Sequence, residues 1–409
     1  MIKKLILGLS FPALLFCESL NDLIEMSLKN KNVISSEKSV ESIQEAYESA
    51  KKGYLPIVSV GGGYTDVSYK SGEQDNNSLN AYADVTYNIY DGGKKNLTYK
   101  SYESQIKTSK EDLISLKNEV SLEVIEHYFN YLTYVSQKDA KLKEIEQLNA
   151  QNERLSKFLD AGTVTIDEID KIVSNIESAN LELQELELDI QTILHELEYI
   201  IGKKVSINEG SYIEIASDEA EQRNDIKSLE HSMQTALISA KTTKTTNNPQ
   251  VSISNTYKHY NYNYENSAYE DLALEDQNVL AVNLTWNIFD FGSTQSAYSS
   301  AYKSFLSAKS KYEYEKNKAD VDLRLAEKSY DIAKIKIKSA KAGLNAAIST
   351  YNVIKDKFEN GLVDNVSYLE ALSDMSDAIS SLSATKYELE IKKANLVYQK
   401  GKNVWEYVK

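Results

Sequence analysis

A heptapeptide occurs twice in this chain about 200 residues apart: Tyr87-Asn-Ile-Tyr-Asp-Gly-Gly93 returns as Trp286-Asn-Ile-Phe-Asp-Phe-Gly292. Solenoid repeats recur every ~20 to 50 residues, so a period this long marks two whole structural units. More of the unit returns with it. Lys51-Lys-Gly-Tyr-Leu-Pro56 opens a strand-like stretch as Asn247-Asn-Pro249 does, and Lys157-Phe-Leu-Asp-Ala-Gly162 is echoed by Lys357-Phe-Glu-Asn-Gly361. Each unit reads as a short helix, two strands, a very long helix, a Gly turn and a second long helix. The division that follows is a leader over 1–17, a first unit over 18–210 and a second over 211–409.

Punctuation residues set the helix lengths. The prolines are Pro12, in the leader, and Pro56 and Pro249, each at the start of a strand-like stretch, where proline is tolerated. Neither Gly nor Pro occurs between Gly93 and Gly162 or between Gly162 and Gly202, and only Gly343 lies between Gly292 and Gly361. A helix of ~65 residues at 1.5 Å rise is ~100 Å long. After Gly162, apolar residues fall at Ile169, Ile172, Ile176, Ala179, Leu183, Leu186, Ile190, Ile193, Leu197 and Ile200, the 3-4 alternation of a coiled coil. Two helices joined by so short a turn are antiparallel neighbours. Each unit therefore holds one long helical hairpin.

The strands alternate with period two. Leu280, Val282, Leu284, Trp286 and Ile288 share one face, as do Leu79, Ala81, Ala83, Val85, Tyr87 and Ile89, with polar residues such as Asn80, Asp84, Asn283 and Thr285 between them. Val58, Val60 and Tyr64 correspond to Val251, Ile253 and Tyr257. Segments of ~10 residues alternating apolar-out and polar-in are the mark of a membrane barrel. The 29 Tyr against 8 Phe suit a sheet that meets both water and an apolar phase. Two units supply only four strands, and such barrels need eight or more, so several copies must join edge to edge, most simply in a symmetric ring.

Met1-Ile-Lys-Lys4 and the apolar run Leu5 to Phe16 form an export signal, too short to span a bilayer as a helix. Cys17 ends it. Cys17 is a residue near the cleavage point or a lipidation site, and Phe16 is bulky where a lipoprotein signal carries a small residue. With one cysteine no intrachain disulfide forms. The net charge of -15 gives no electrostatic reason to bind nucleic acid. No nucleophile motif or phosphate loop occurs, and His127, His195, His231 and His259 lack metal-ligand spacing, so neither an enzyme nor a cofactor is expected.

These features together resemble the TolC-like outer-membrane factors of Gram-negative efflux pumps and type I secretion systems. The resemblance rests on the duplicated unit, the strand-to-helix junctions Asp91-Gly92-Gly93 and Asp290-Phe291-Gly292, and the tips Phe158-x3-Gly162-Thr-Val164 and Phe358-x2-Gly361-Leu-Val363. It implies an α+β membrane protein, a homotrimer with a 12-stranded barrel in outer-membrane lipid continuous with an α-helical tunnel across the periplasm. It further implies a passive exit duct for small molecules or polypeptides. The tips would dock a periplasmic adaptor that links to an inner-membrane transporter. Residues near 20–50 and 216–243, with Lys203 to Ile215 and the C-terminal tail, would form a belt around the tunnel.

The tips are rich in carboxylates: Asp160, Asp167, Glu168 and Asp170 at the first, Asp356, Glu359, Asp364 and Glu370 at the second. Such residues are either a solvated hairpin end or, on a threefold axis, a ring that focuses negative potential and favours cations. By resemblance the constriction aspartates map onto Ser367 and Glu370, with Asp364 the next candidate and Glu359 on the outer face of the turn. Asp167 fits the acid of the family's charged gate pair, while Val363 stands where its Arg is expected. A trimeric coiled-coil surface adhesin or structural envelope protein is the alternative. It calls for one unidirectional helix, whereas this chain reverses at Gly162 and Gly361.

Overall fold

A computed structural model describes residues 18–68, 75–216, 219–264 and 274–409; the leader, with Cys17, lies outside the described residues. Helices α1 (Leu20–Ser27) and α2 (Lys31–Lys52) precede strands β1 (Ile57–Asp66) and β2 (Asp75–Asp91), then the helices α3 (Lys94–Asp160) and α4 (Ile166–Ile201). The order recurs with α5 (Asn224–Thr243), β3 (Gln250–Tyr264), β4 (Asp276–Thr285), α6 (Ser293–Glu359) and α7 (Asn365–Gln399). Both descending helices, α3 and α6, have 67 residues, as the absence of proline allows, and α6 runs through Gly343 without a break. The stretch expected as one short helix near 20–50 is broken at Asn30, whose side chain accepts the Val33 N–H at 2.8 Å and starts α2 afresh.

Contacts gather the described chain into two compact units. The first takes the chain up to Ser35, Leu113–Asn224 and Asn317–Lys409; the second takes Ser36–Asp112 and Asp225–Lys316. The core of the first unit is built on Leu20, Leu23 and Ile24 of α1, Val124, Ile125, Tyr128 and Phe129 of α3, Leu197 of α4, and Ile213 and Val404. A capping box at Ser19 and Asp22 fixes the start of α1. Segments remote in sequence are stitched to this core by backbone bonds. The Tyr212 N–H reaches the Lys409 carbonyl at 2.9 Å, and the Asn208 N–H reaches Glu18 O at 2.9 Å. Of the segments expected to form one belt, α1, 203–215 and the tail therefore fall in this unit, whereas α5 and most of α2 belong to the other.

The second unit contains the sheet, an antiparallel meander in the order β1-β2-β3-β4. Its two hairpins share one register: Val58 faces Val85 as Val251 faces Leu284, and Val60 faces Ala83 as Ile253 faces Val282. The expected apolar face is continuous across the strands and uncovered, with Val60 81% and Leu284 68% exposed. Two details depart from strict alternation. A register shift between Asn88 and Tyr90 leaves Ile89 in a bulge. Strand β4 stops at Thr285, opposite Gln250, so Trp286 and Ile288 lie beyond it. The reason is chemical: the next residue of β3's ladder is Pro249, which has no N–H to donate, and among the described residues β4 has no partner on its other side. Among the described residues no helix is long and apolar enough to cross a membrane.

Tyr128 tests the first core. Its ring is fully buried, its hydroxyl donates to Asn208 O at 2.7 Å and accepts from Ser211 N at 3.4 Å. We expect Tyr128→Phe to lower stability by about 1–3 kcal/mol, because both backbone groups are left unpaired. Chemical unfolding followed by helical circular dichroism measures this, and a change within experimental error would show the bonds to be idle.

Candidate functional site

Both hairpin tips use the same turn. At the end of α3 the Thr163 N–H reaches Phe158 O at 3.0 Å and the Gly162 N–H reaches Leu159 O at 2.9 Å; at the end of α6 Leu362 reaches Lys357 O at 2.8 Å and Gly361 reaches Phe358 O at 3.0 Å. This pair of bonds is the Schellman arrangement, and it places the glycines in the left-handed region, with φ of 72° and 69°. Gly162 and Gly361 have open space where a side chain would go, so the turn demands glycine for its backbone alone.

The two hairpins pack together behind these turns. Leu148, Leu155, Ile172 and Ile176 of α3 and α4 meet Tyr351, Leu369 and Leu372 of α6 and α7, with Val164 and Phe358 against them. Val363 is half-buried. Tyr351 donates to Gln147 Oε1 at 2.6 Å, and its oxygen lies 3.4 Å from the Tyr368 hydroxyl, which burial pushes well above the usual phenol range. Arg154 sits over the rings of both Phe158 and Phe358, 5.4 Å from each centroid, and Phe358 stacks on Tyr368 at 5.1 Å. Sequence reasoning chose the two phenylalanines and missed the cation between them. The available signal was Arg154 itself, four residues before Phe158, in a chain that uses Arg three times.

The acidic candidates separate by role. Asp364 is the N-cap of α7, accepting the Ser367 N–H at 2.9 Å, and this bond above all holds its carboxylate below the usual range. Ser367 is thus tied to Asp364 through its backbone. In the first turn of α4, Asp167 is exposed, faces Lys171 at 3.8 Å, and is held low chiefly by the Thr165 hydroxyl. Its charged partner is therefore in its own helix. Asp170 and Glu359 are exposed. Glu370, also exposed, lines an open groove of about 670 Å³ between α4 and α7, together with Lys171, Ser174, Asn175 and Asp374. Asp374 and Asp377 continue the face of Glu370 at helical spacing, a stripe legible in the sequence and not singled out there.

The strand-to-helix junctions also match each other. Asp91 accepts from Gly93 N at 3.2 Å and Lys95 N at 2.7 Å; Asp290 accepts from Gly292 N at 3.0 Å and Thr294 N at 2.8 Å. In both places one carboxylate collects the free N–H groups that begin a long helix. The residues after it are left-handed: Gly92 and Gly93 in one junction, Phe291 and Gly292 in the other. Among the described residues no group of three or more His, Cys, Asp or Glu could hold a metal ion.

A model of the family described as outer membrane efflux protein matches residues 23–203 and 215–399. The fold is similar to that of the outer membrane protein VceC of Vibrio cholerae, with a TM-score of 0.83 at 16% identity over 94% of this chain and 96% of that one. It is also similar to the Campylobacter jejuni CmeC outer membrane channel, at 0.81 and 18% identity over 93% and 85% of the two chains. The open state of the Neisseria gonorrhoeae MtrE outer membrane channel matches at 0.77 and 13% identity over 94% and 89%. No curated relative matches the chain in sequence.

The cap at Asp364 gives a pH-dependent prediction. Its folded pKa is depressed, so its contribution is present above the unfolded value of about 3.9 and lost as pH falls through the folded value. Hydrogen exchange at the amides of residues 365–368 should quicken in Asp364→Ala. In the wild type, protection relative to the intrinsic exchange rate at the same pH should fall on acidification below the cap's pKa, whereas in Asp364→Asn, which keeps an acceptor without the charge, it should not. Equal protection in all three proteins would remove the cap from the account of the tip.

Proposed function

The chain belongs to the outer membrane efflux protein family, and on that premise we propose that three copies assemble into one channel, each giving its four strands to a barrel of twelve. The uncovered apolar face of the sheet carries this reading. A face with Val58, Val60, Val282 and Leu284 in the open, bounded by β1 and β4, which among the described residues are each paired on one side, is stable in lipid only when the edges are joined. The hairpins then line a passive duct in the periplasm, and 1–17 is the export leader. Phe158, Gly162, Val164, Phe358, Gly361 and Val363 present the tips to a periplasmic adaptor coupled to an inner-membrane transporter. Sizing in native detergent extracts tests the assembly, and a folded single-chain particle would overturn it.

Glu370 is the residue we assign to the constriction, with Asp167, Asp170, Asp364 and Ser367 around it. Lining the groove between α4 and α7, its three copies would set a ring of negative charge that favours cations. In planar bilayers, Glu370→Gln should move the reversal potential in a salt gradient toward zero and weaken block by divalent cations, while Glu359→Gln should do neither. An unchanged reversal potential in Glu370→Gln would transfer the ring to another residue. Efflux of small molecules and export of polypeptides are both compatible with a passive duct; transport by cells that lack one or the other inner-membrane system separates them.

A further inference from the structure

The seam between β2 and β3 joins the two repeats inside one chain, and the two repeats share their register. It is therefore a template for the seam that must join β4 of one copy to β1 of the next. At the inner seam, Gly92 is buried against Asn248: a side-chain carbon on Gly92 would lie 2.8 Å from the Asn248 Cβ and 2.9 Å from Thr245 O, and Asn248 Nδ2 donates to Gly92 O at 2.7 Å. Transferred to the outer seam, Gly92 becomes Phe291 and Asn248 becomes Leu55, the residue before Pro56. Both are in the open in the single chain, Phe291 at 92% and Leu55 at 60%. Phe291 also holds φ at 54°, a left-handed conformation that side chains disfavour. Within the chain its recorded ring contact is with Phe289, itself exposed.

We propose that Phe291 and Leu55 form an apolar wedge between neighbouring copies. The inner seam has no room for a side chain at Gly92, so the outer seam cannot repeat it atom for atom. It must open at this level, and a phenylalanine against a leucine fills the gap with groups that lose nothing by leaving water. The same transfer sets the outer register. Tyr87 opposite Ile253 and Ala83 opposite Tyr257 become Trp286 opposite Val60 and Val282 opposite Tyr64 of the next copy. That pairing also explains why 286–290 is not strand in the single chain: its ladder partner is the neighbour's β1.

This inference rests on the trimeric reading, and cross-linking separates the two. In the full chain, Val282→Cys with Tyr64→Cys tests the register and Phe291→Cys with Leu55→Cys tests the wedge; each single variant is the control. Under oxidation, or with a short bifunctional maleimide, both pairs should give covalent trimers on denaturing gels. Phe291→Gly relieves the left-handed strain yet should lower the temperature at which the detergent-extracted assembly dissociates. A trimer that cross-links at 282 and 64 but not at 291 and 55, or a Phe291→Gly assembly as heat-resistant as the wild type, overturns the wedge and turns Phe291 toward lipid. Failure of both pairs in a particle of trimer size overturns the register as well. A single-chain particle overturns the assembly itself.

Discussion

Unpaired backbone polar groups are the constraint on which the rest depends. In hydrocarbon each free N–H or C=O costs several kcal/mol, so a sheet that faces lipid must have no edge. Four strands cannot close on themselves, and among the described residues β1 and β4 each have one partner. Polar groups at helix starts obey the same rule on a smaller scale. Asp91 and Asp290 each take two backbone N–H groups where a strand turns into a 67-residue helix. The change from sheet to helix happens within a few residues because one carboxylate satisfies donors that neither element can.

The far ends of the helices are held differently. The Schellman turns at Gly162 and Gly361 close each hairpin on itself, and contacts between hairpins then decide how the tips sit together. These contacts are aromatic and polar: Arg154 between Phe158 and Phe358, Tyr368 stacked beneath, Tyr351 bonded to Gln147. A cation over two ring faces needs no carboxylate partner. Through it the two tips cohere without a carboxylate between them. Asp167 is paired with Lys171 of its own helix, so the tie between hairpins does not run through it.

The two hairpins share a register. On the proposed assembly, the seam inside the chain is the template for the seam between copies, and the differences between the two repeats mark where that second seam would depart from the first. Gly92 and Phe291 are the clearest such difference, one closed against Asn248 and the other open.

What the sequence determined by itself was whatever depends on local periodicity and breakers. The two long hairpins follow from the near absence of Gly and Pro, the strands from alternation, and the turns from Gly162 and Gly361. Tertiary structure decided what depends on which segments meet. It split the helix near 20–50 at Asn30, ended β4 at Thr285 opposite Gln250, the residue after Pro249, and put Ile89 in a bulge. It also placed Arg154 between two rings that lie 200 residues apart in sequence. Periodicity reports the face on which a residue lies, through geometry shared with its own neighbours. The partner on that face is set by the packing of remote segments, which no local pattern encodes.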